Sequence, residues 1–348
     1  MSRIKRTLNA QTITLAHGSG GKAMRDLIDD VFVNGFDNPY LEELEDQARF
    51  NLSDLSKYGN RLAMTTDSYV VDPLFFPGGN IGKLAITGTV NDLAVGGAKP
   101  LYLTCSMIIE EGFAVEKLRK IVKSMKQTAD EAGVQIVTGD TKVVNKGAAD
   151  KLFINTTGIG VIQKNIDIAA NRAKVGDVVI INGYVGDHGA AIVDARGEMS
   201  LENTIESDCQ VLNDLIEKML IVCPDIHCMR DATRGGVATV LNEFAESSSV
   251  CISLDETALP VRTEVRGMCE ILGLDPLYLA NEGKVIAIVP AAQASTLLKV
   301  MQSHPAGVDS AIIGKVSAQP AARVILQTGF GGNRIVDMLV GEQLPRIC

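Results

Sequence analysis

Three acidic motifs and a glycine-rich loop carry the most legible chemistry in this 348-residue sequence. Asp67 in "TTDS", Asp92 in "VNDLA" and Asp140 in "TGDTK" each stand at or near the end of a predicted element. Converging carboxylates suit Mg²⁺, which takes one or two of them together with nucleotide phosphates and water. The competing reading is that each acid caps a helix or turn, a common use of aspartate. "AHGSGGKAMRDLI" leads Gly18, Ser19, Gly20 and Gly21 into a helix, and the exposed N–H groups of such a turn can cradle a phosphate. Its spacing satisfies neither the Walker A pattern nor G-x-G-x-x-G, because Ala23 stands where the third glycine belongs. A flexible turn is the alternative.

The second half pairs acids with bases beside glycines. Asp231 and Arg234 lie in "RDATRGG", and Glu282 and Lys284 in "NEGK". They can reach phosphate or metal, or form exposed ion pairs of little consequence. His188 in "GDHG" offers an acid or base, with helix entry as the other reading. "CPDIHC" supplies only three clustered ligands without a second half, which argues against zinc. The chain then stops on a thiol, Cys348 in "LPRIC". Arg346 favours the thiolate and the adjacent carboxylate opposes it, leaving the net effect open. The sixteen residues from Asn333 to Cys348 span roughly 50 Å if extended, enough for a swinging arm.

Alternating strands and helices must position these groups. "RLAMTTDSYV" reads as a strand delivering Asp67, and "GNIGKLAITGTVNDLAVGGA" as a helix whose small residues permit close packing. Val115, Leu118, Ile121, Val122 and Met125 fall on one helical face, with Gly133 as the stop before the strand "VQIVTGD". After the polar joint "KNIDIAANRAKVGD" the pattern resumes with "DVVIING", "RDATRGGVATVLNEFAESS" and "NEGKVIAIVP". The expectation is an α/β protein of two domains, residues 1–166 and 167–328, followed by a mobile tail, 329–348.

Hydrophobic residues at 46% and charged residues at 22% are globular composition. Lys+Arg 33 against Asp+Glu 42 gives a net charge of −9 with no basic run, a poor basis for nucleic-acid binding. No stretch approaches the roughly 20 apolar residues of a membrane span, and the basic start lacks an apolar signal core. Seven scattered cysteines argue against a disulfide framework. A cytoplasmic, reduced protein is expected, without nucleic-acid or membrane partners.

Taken in order, "LAHGSGGKAM", "TTDSYVVDPLFFPGGNIGKLA", "VNDLAVGGAKPLYL", "TGDTKVV", "GDHGAAI", "RDATRGGV", "LANEGK" and "LPRIC" resemble the carbamoyl dehydratases of [NiFe]-hydrogenase maturation. That family belongs with the aminoimidazole ribonucleotide synthetases and selenophosphate synthetases. The resemblance implies two α/β domains with ATP in the cleft between them, and a homodimer formed through the first domain's sheet. It implies that a HypF-like carbamoyltransferase loads Cys348. The chain then dehydrates the S-carbamoyl group with ATP to a thiocyanate, and the cyano group passes to iron on a HypC–HypD complex. By the same resemblance Asp67, Asp92 and Asp140 hold Mg²⁺–ATP. Thr141 and Gly18–Gly21 lie near the phosphates, and Asp231 contributes from the second domain. Lys142 and Glu282 orient the carbamoyl group and remove its protons. A selenophosphate synthetase-like phosphotransferase is disfavoured, because such enzymes place a reactive Cys or selenocysteine near the glycine loop. Here that place holds His17 and the first cysteine is Cys105. A non-enzymatic carrier would explain the tail but not the acidic motifs.

Overall fold

Strands of alternating burial build a four-stranded sheet in the first half of the chain, and the computed structural model describes residues 6–43, 47–197, 205–341, 344 and 346–348. Four short helices come first, α1 (Lys22–Leu27), α2 (Asn34–Phe36), α3 (Pro39–Glu42) and α4 (Leu52–Ser56). Strand β1 (Arg61–Tyr69) and a small ribbon, β2 (Phe75–Phe76) with β3 (Gly79–Asn80), lead to β4 (Ala98–Glu110), β5 (Gln135–Val144) and β6 (Leu152–Ile162). The sheet order is β1-β6-β4-β5, with β4 and β5 parallel and the other pairs antiparallel. Helices α5 (Ile81–Val95) and α6 (Val115–Ala132) cover one face. The inward side of α6 carries the apolar residues that its spacing sets on one face, from Val115 to Met125. The other face of the sheet is open and shows Leu62, Met64 and Ile108.

The second half forms a seven-stranded sheet in the order β13-β12-β9-β11-β7-β10-β8. In chain order these are β7 (Val178–Ile181), β8 (Cys228–Asp231), β9 (Cys251–Asp255), β10 (Val285–Val289), β11 (Ala311–Ser317), β12 (Arg323–Gln327) and β13 (Asn333–Val336). Its helices are α7 (Asp187–Ala195), α8 (Asn213–Val222), α9 (Gly236–Ser248), α10 (Thr263–Leu272) and α11 (Ala291–Gln302). Every residue of β10 is buried, as an apolar run beneath helices must be. Strand β13 pairs with β12, so this sheet extends to Val336, into the segment expected to be tail. A glycine-rich turn, "GFGGN", returns the chain and the short run "RIV" completes the edge.

Helix α5 joins the halves. It packs on β1, β4 and β6 on one side and on α8 and β8 on the other, which is why it is apolar or small nearly all round. The Asn91 amide donates to the carbonyl oxygens of Gln210 (3.1 Å) and Glu282 (3.4 Å), and its oxygen accepts from Leu212 N–H at 2.8 Å. Close approach depends on Gly88: a Cβ there would stand 2.3 Å from Tyr69 Oη. Gly88→Ala is expected to lower stability by about 1–3 kcal/mol through overpacking, read as a drop in the urea midpoint at unchanged slope.

Candidate functional site

The acids meet where the two domains face each other. Strand β1 holds Asp67 and Thr65 on its helix-covered face, and α5 presents Asp92 to them. Thr65 Oγ1 donates to Asp92 Oδ2 at 2.9 Å. Asp231 enters from the end of β8, registered opposite Val285 of β10. Burial, then the charge of Asp92, pushes the Asp231 carboxyl up to about 7. Burial and Asp67 raise Asp92 as well. Beside them opens a cleft of about 610 Å³, lined by Thr65, Asp92, Asp231, Arg230 and Arg234 among others, a size that suits a small-molecule ligand. Among the described residues no three His, Cys, Asp or Glu side chains gather into an all-protein cation cage. The donor set instead suits a hard cation held by one or two carboxylates, the rest of its shell coming from phosphate and water.

Glu282 projects from the loop before β10 and is buried. Its backbone N–H donates to Asp208 Oδ1 at 2.9 Å, Gly283 N–H to Asp208 Oδ2 at 3.3 Å, and Lys284 Nζ to the same oxygen at 2.9 Å. Gly283 is required here, since a Cβ would lie 2.0 Å from the Asp208 carbonyl oxygen. Burial alone would raise Asp208, yet Lys284 and the Glu282 N–H hold it below the usual carboxylate range. Glu282 shifts the other way. Burial first, then the charges of Asp208, Asp231 and Asp67, push its carboxyl well above the ordinary value. Its Oε1 is buried with no hydrogen-bond partner.

The tail ends beside this cleft, at a neighbouring cavity of about 180 Å³ that shares Arg234 with it and is lined also by Ala280, Leu344 and Ile347. Val70 N–H donates to the Cys348 carbonyl at 3.0 Å and Asp72 N–H to the Arg346 carbonyl at 3.2 Å. Arg196 Nη2 donates to that same Arg346 oxygen at 3.0 Å. The Ile347 side chain is buried in the first domain's core. Arg346 donates through Nε to the Val70 carbonyl at 3.1 Å and pairs with Asp150, so it anchors the tail rather than facing the thiol. Burial, with Glu282 next, pushes the Cys348 thiol up to about 12.

Asp67, Asp92, Asp231, Glu282 and Cys348 are thus brought together. Asp140 and Lys142 are not, within one chain. Cross-strand register places Asp67, Thr156, Cys105 and Gly139 in one row, and Ser68, Asn155, Ser106 and Asp140 in the next. Adjacent rows of a pleated sheet face opposite ways, so Asp140 lies on the open face, three strands from β1 or roughly 14 Å. There Lys142 pairs with it at 2.8 Å. Thr141 is buried on the covered face of the same edge strand. The loop of Gly18, Ser19, Gly20 and Gly21 also lies along β5, where a Cβ on Gly18 would meet Val143 at 2.9 Å. Cys105 is buried and pushed up to about 12 by desolvation, so among the described residues no reactive thiol stands beside the glycine loop to support the selenophosphate synthetase-like reading.

Sequence reading missed Asp208, which organises the whole Glu282 loop. Its segment "ESDCQVLND" has no periodicity and no motif; a buried acid facing the lysine of "NEGK" is visible only in three dimensions.

Residues 45–162 match the AIR synthase related protein N-terminal domain, and residues 174–327 match the C-terminal domain. In that order the two matches define the class to which this pair of sheets and its cleft correspond. "Carbamoyl dehydratase HypE" of Rhodobacter capsulatus is 54% identical over 98% of this chain and 99% of its own length. A crystal structure of "Hydrogenase Maturation Protein HypE in complex with ATP" superposes with a TM-score of 0.92 at 50% identity, covering 97% of this chain and 100% of that one. A HypE–HypF complex structure matches at a TM-score of 0.78 and 50% identity, over 90% of this chain and 99% of that one. The chain belongs to the HypE carbamoyl dehydratase family. Among the described residues no helix is long and apolar enough to cross a membrane.

Proposed function

We propose that this protein dehydrates an S-carbamoyl group on its own Cys348, using ATP, during [NiFe]-hydrogenase maturation in the cytoplasm. The observation that carries the reading is the tail itself, its last three residues held by Val70, Asp72, His188 and Arg196, with Glu282 near enough for its charge to raise the thiol. ATP occupies the cleft between Asp92 and Asp231. The carbamoyl oxygen takes the γ-phosphoryl group and ADP leaves, which converts a poor leaving group into phosphate. The nitrogen gives up its two protons, one as the C=N bond forms and one as the C–O bond breaks to leave S–C≡N. Thiocyanate, ADP and phosphate are the products, and the elements of water leave in the phosphate. Glu282 Oε1, buried and unpartnered, takes the first of those protons and the departing phosphate takes the second. Mg²⁺ held by Asp67, Asp92 or Asp231 with the phosphates would offset the carboxylate charges and so favour ionised Glu282. The carbamoyl group arrives from a HypF-like partner, and the cyano group leaves to a HypC–HypD complex.

We also infer a homodimer through the open face of the first sheet, on the support of exposed Leu62, Met64 and Ile108. A two-fold axis along the strands sets β5 of one copy over β1 of the other. Asp140 and Lys142 of one copy then approach the Asp67 edge of the second.

The test uses the native chain and Cys348→Ala with a HypF-type carbamoyltransferase, carbamoyl phosphate and ATP. Mass spectrometry of the C-terminal peptide is expected to show carbamoylation followed by loss of one water in the native chain, and neither in the variant. Thiocyanate on another residue of Cys348→Ala would sink the assignment.

A further inference from the structure

The reading above gives no role to His188. His188, at the start of α7, is fully buried and its ring stands edge-on to Phe76 at 5.5 Å. Its Nε2 lies 2.7 Å from the carbonyl oxygen of Ile347, and its Nδ1 lies 2.7 Å from Ser207 Oγ. A carbonyl only accepts, so Nε2 carries the proton and Nδ1 accepts from the Ser207 hydroxyl. Ser207 Oγ in turn accepts from Cys209 N–H at 3.2 Å, while Ser207 N–H donates to the Pro77 carbonyl at 2.9 Å. The relay is therefore complete and fixes one tautomer. Burial also keeps the ring neutral by lowering its pKa. Both nitrogens are committed, and Nε2 stays 4.0 Å from Glu282 Oε1, beyond hydrogen-bond reach.

We propose that His188 is a positioning residue: by donating Nε2–H to the Ile347 carbonyl, it holds the docked tail so that the group on Cys348 faces Glu282 Oε1. Among the described residues, the other backbone contacts of Arg346 to Cys348 come from Val70 and Asp72, just after β1, and from Arg196, at the end of α7. His188 grips it from the second domain, at the peptide group next to the reacting residue. That grip fixes the plane of the Ile347–Cys348 peptide group, from which the reacting residue projects. The proposal rests on Cys348 being the substrate carrier, but its first readout does not.

That readout is alkylation of Cys348 in the full-length chain by iodoacetamide, followed on the C-terminal peptide by mass spectrometry. The other six cysteines are buried and report folding in the same digest. His188→Leu is expected to alkylate Cys348 about 5- to 100-fold faster, the span of losing one buried hydrogen bond, with those six still protected. His188→Gln, which keeps an N–H donor, returns to within a few-fold of native. After loading by the carbamoyltransferase, single-turnover conversion to thiocyanate slows in His188→Leu by a similar factor and recovers in His188→Gln.

Native alkylation in a folded His188→Leu overturns the proposal, as does a folded His188→Gln no better than the leucine variant. If His188→Leu exposes all seven thiols, Ser207→Ala decides: it frees the tautomer and must speed Cys348 alkylation, and an unchanged rate overturns the proposal. A native chain that never forms thiocyanate would refute the function while the alkylation result still stands on its own.

Discussion

Glu282→Gln accepts a carbamoyl group on Cys348 at the native rate and then converts it to thiocyanate about 10²- to 10⁴-fold more slowly, the range for losing a positioned base. On the proposed reading loading takes place on a partner, and the substitution leaves the tail's backbone contacts untouched. Glutamine also keeps the Glu282 backbone N–H that donates to Asp208, so the loop retains its anchor. What disappears is a carboxylate oxygen that is buried and unpartnered in the resting chain. Leaving such an atom unpaired costs free energy, and an incoming N–H of the carbamoyl group satisfies it. Rapid-quench mass spectrometry of the preloaded variant separates the two steps. Native conversion by Glu282→Gln would remove Glu282 as the base.

Asp208→Ala is expected to cost about 3–5 kcal/mol of stability, the usual price of leaving one member of a buried ion pair uncompensated. Asp208 and Lys284 side chains are only 3% and 6% exposed and meet at 2.9 Å, and the carboxylate also serves two backbone donors. Removing it leaves a buried ammonium and two N–H groups unpaired. Equilibrium urea unfolding measures the loss. The pH dependence has a definite sign. Asp208 ionises below its ordinary value of 3.8 in the fold, so its contribution is full above that value and disappears as pH falls through the depressed one. Acid should therefore destabilise the native protein more steeply than Asp208→Ala.

The β–α rhythm, the α5 and α6 helices and the acids Asp67, Asp92, Asp231 and Glu282 were legible because each sits in a local pattern that the fold keeps. Asp140 shows where local reading stops. "TTDSY" and "TGDTK" look alike as strand segments, yet the long-range register turns Asp67 to the covered face and Asp140 to the open one. A shift of one residue exchanges the faces of a strand, and no neighbouring residue reports it. Strands β9, β11 and β12 and helices α8 and α10 escaped for another reason: the strands are short, and each helix mixes its buried face (Leu215, Ile216 and Met219; Val265, Met268 and Cys269) with exposed apolar residues such as Ile221 and Ile271 that blur the period. Cys348 was legible by type and place. Its seat was not, because the partners that form it, from Val70 and Asp72 to His188 and Arg196, are scattered across the chain and converge only on folding.

The seat of the tail grips carbonyl oxygens at Arg346, Ile347 and Cys348 and buries one side chain, that of Ile347. None of these contacts touches the sulfur. A dock that holds the carrier by its backbone leaves recognition of the cargo to Glu282, whose unpartnered Oε1 a carbamoyl N–H would satisfy. On the proposed reading, the sorting of empty, loaded and finished tails then falls to that one oxygen, to a bound nucleotide and to the partners, while the backbone berth treats all three alike.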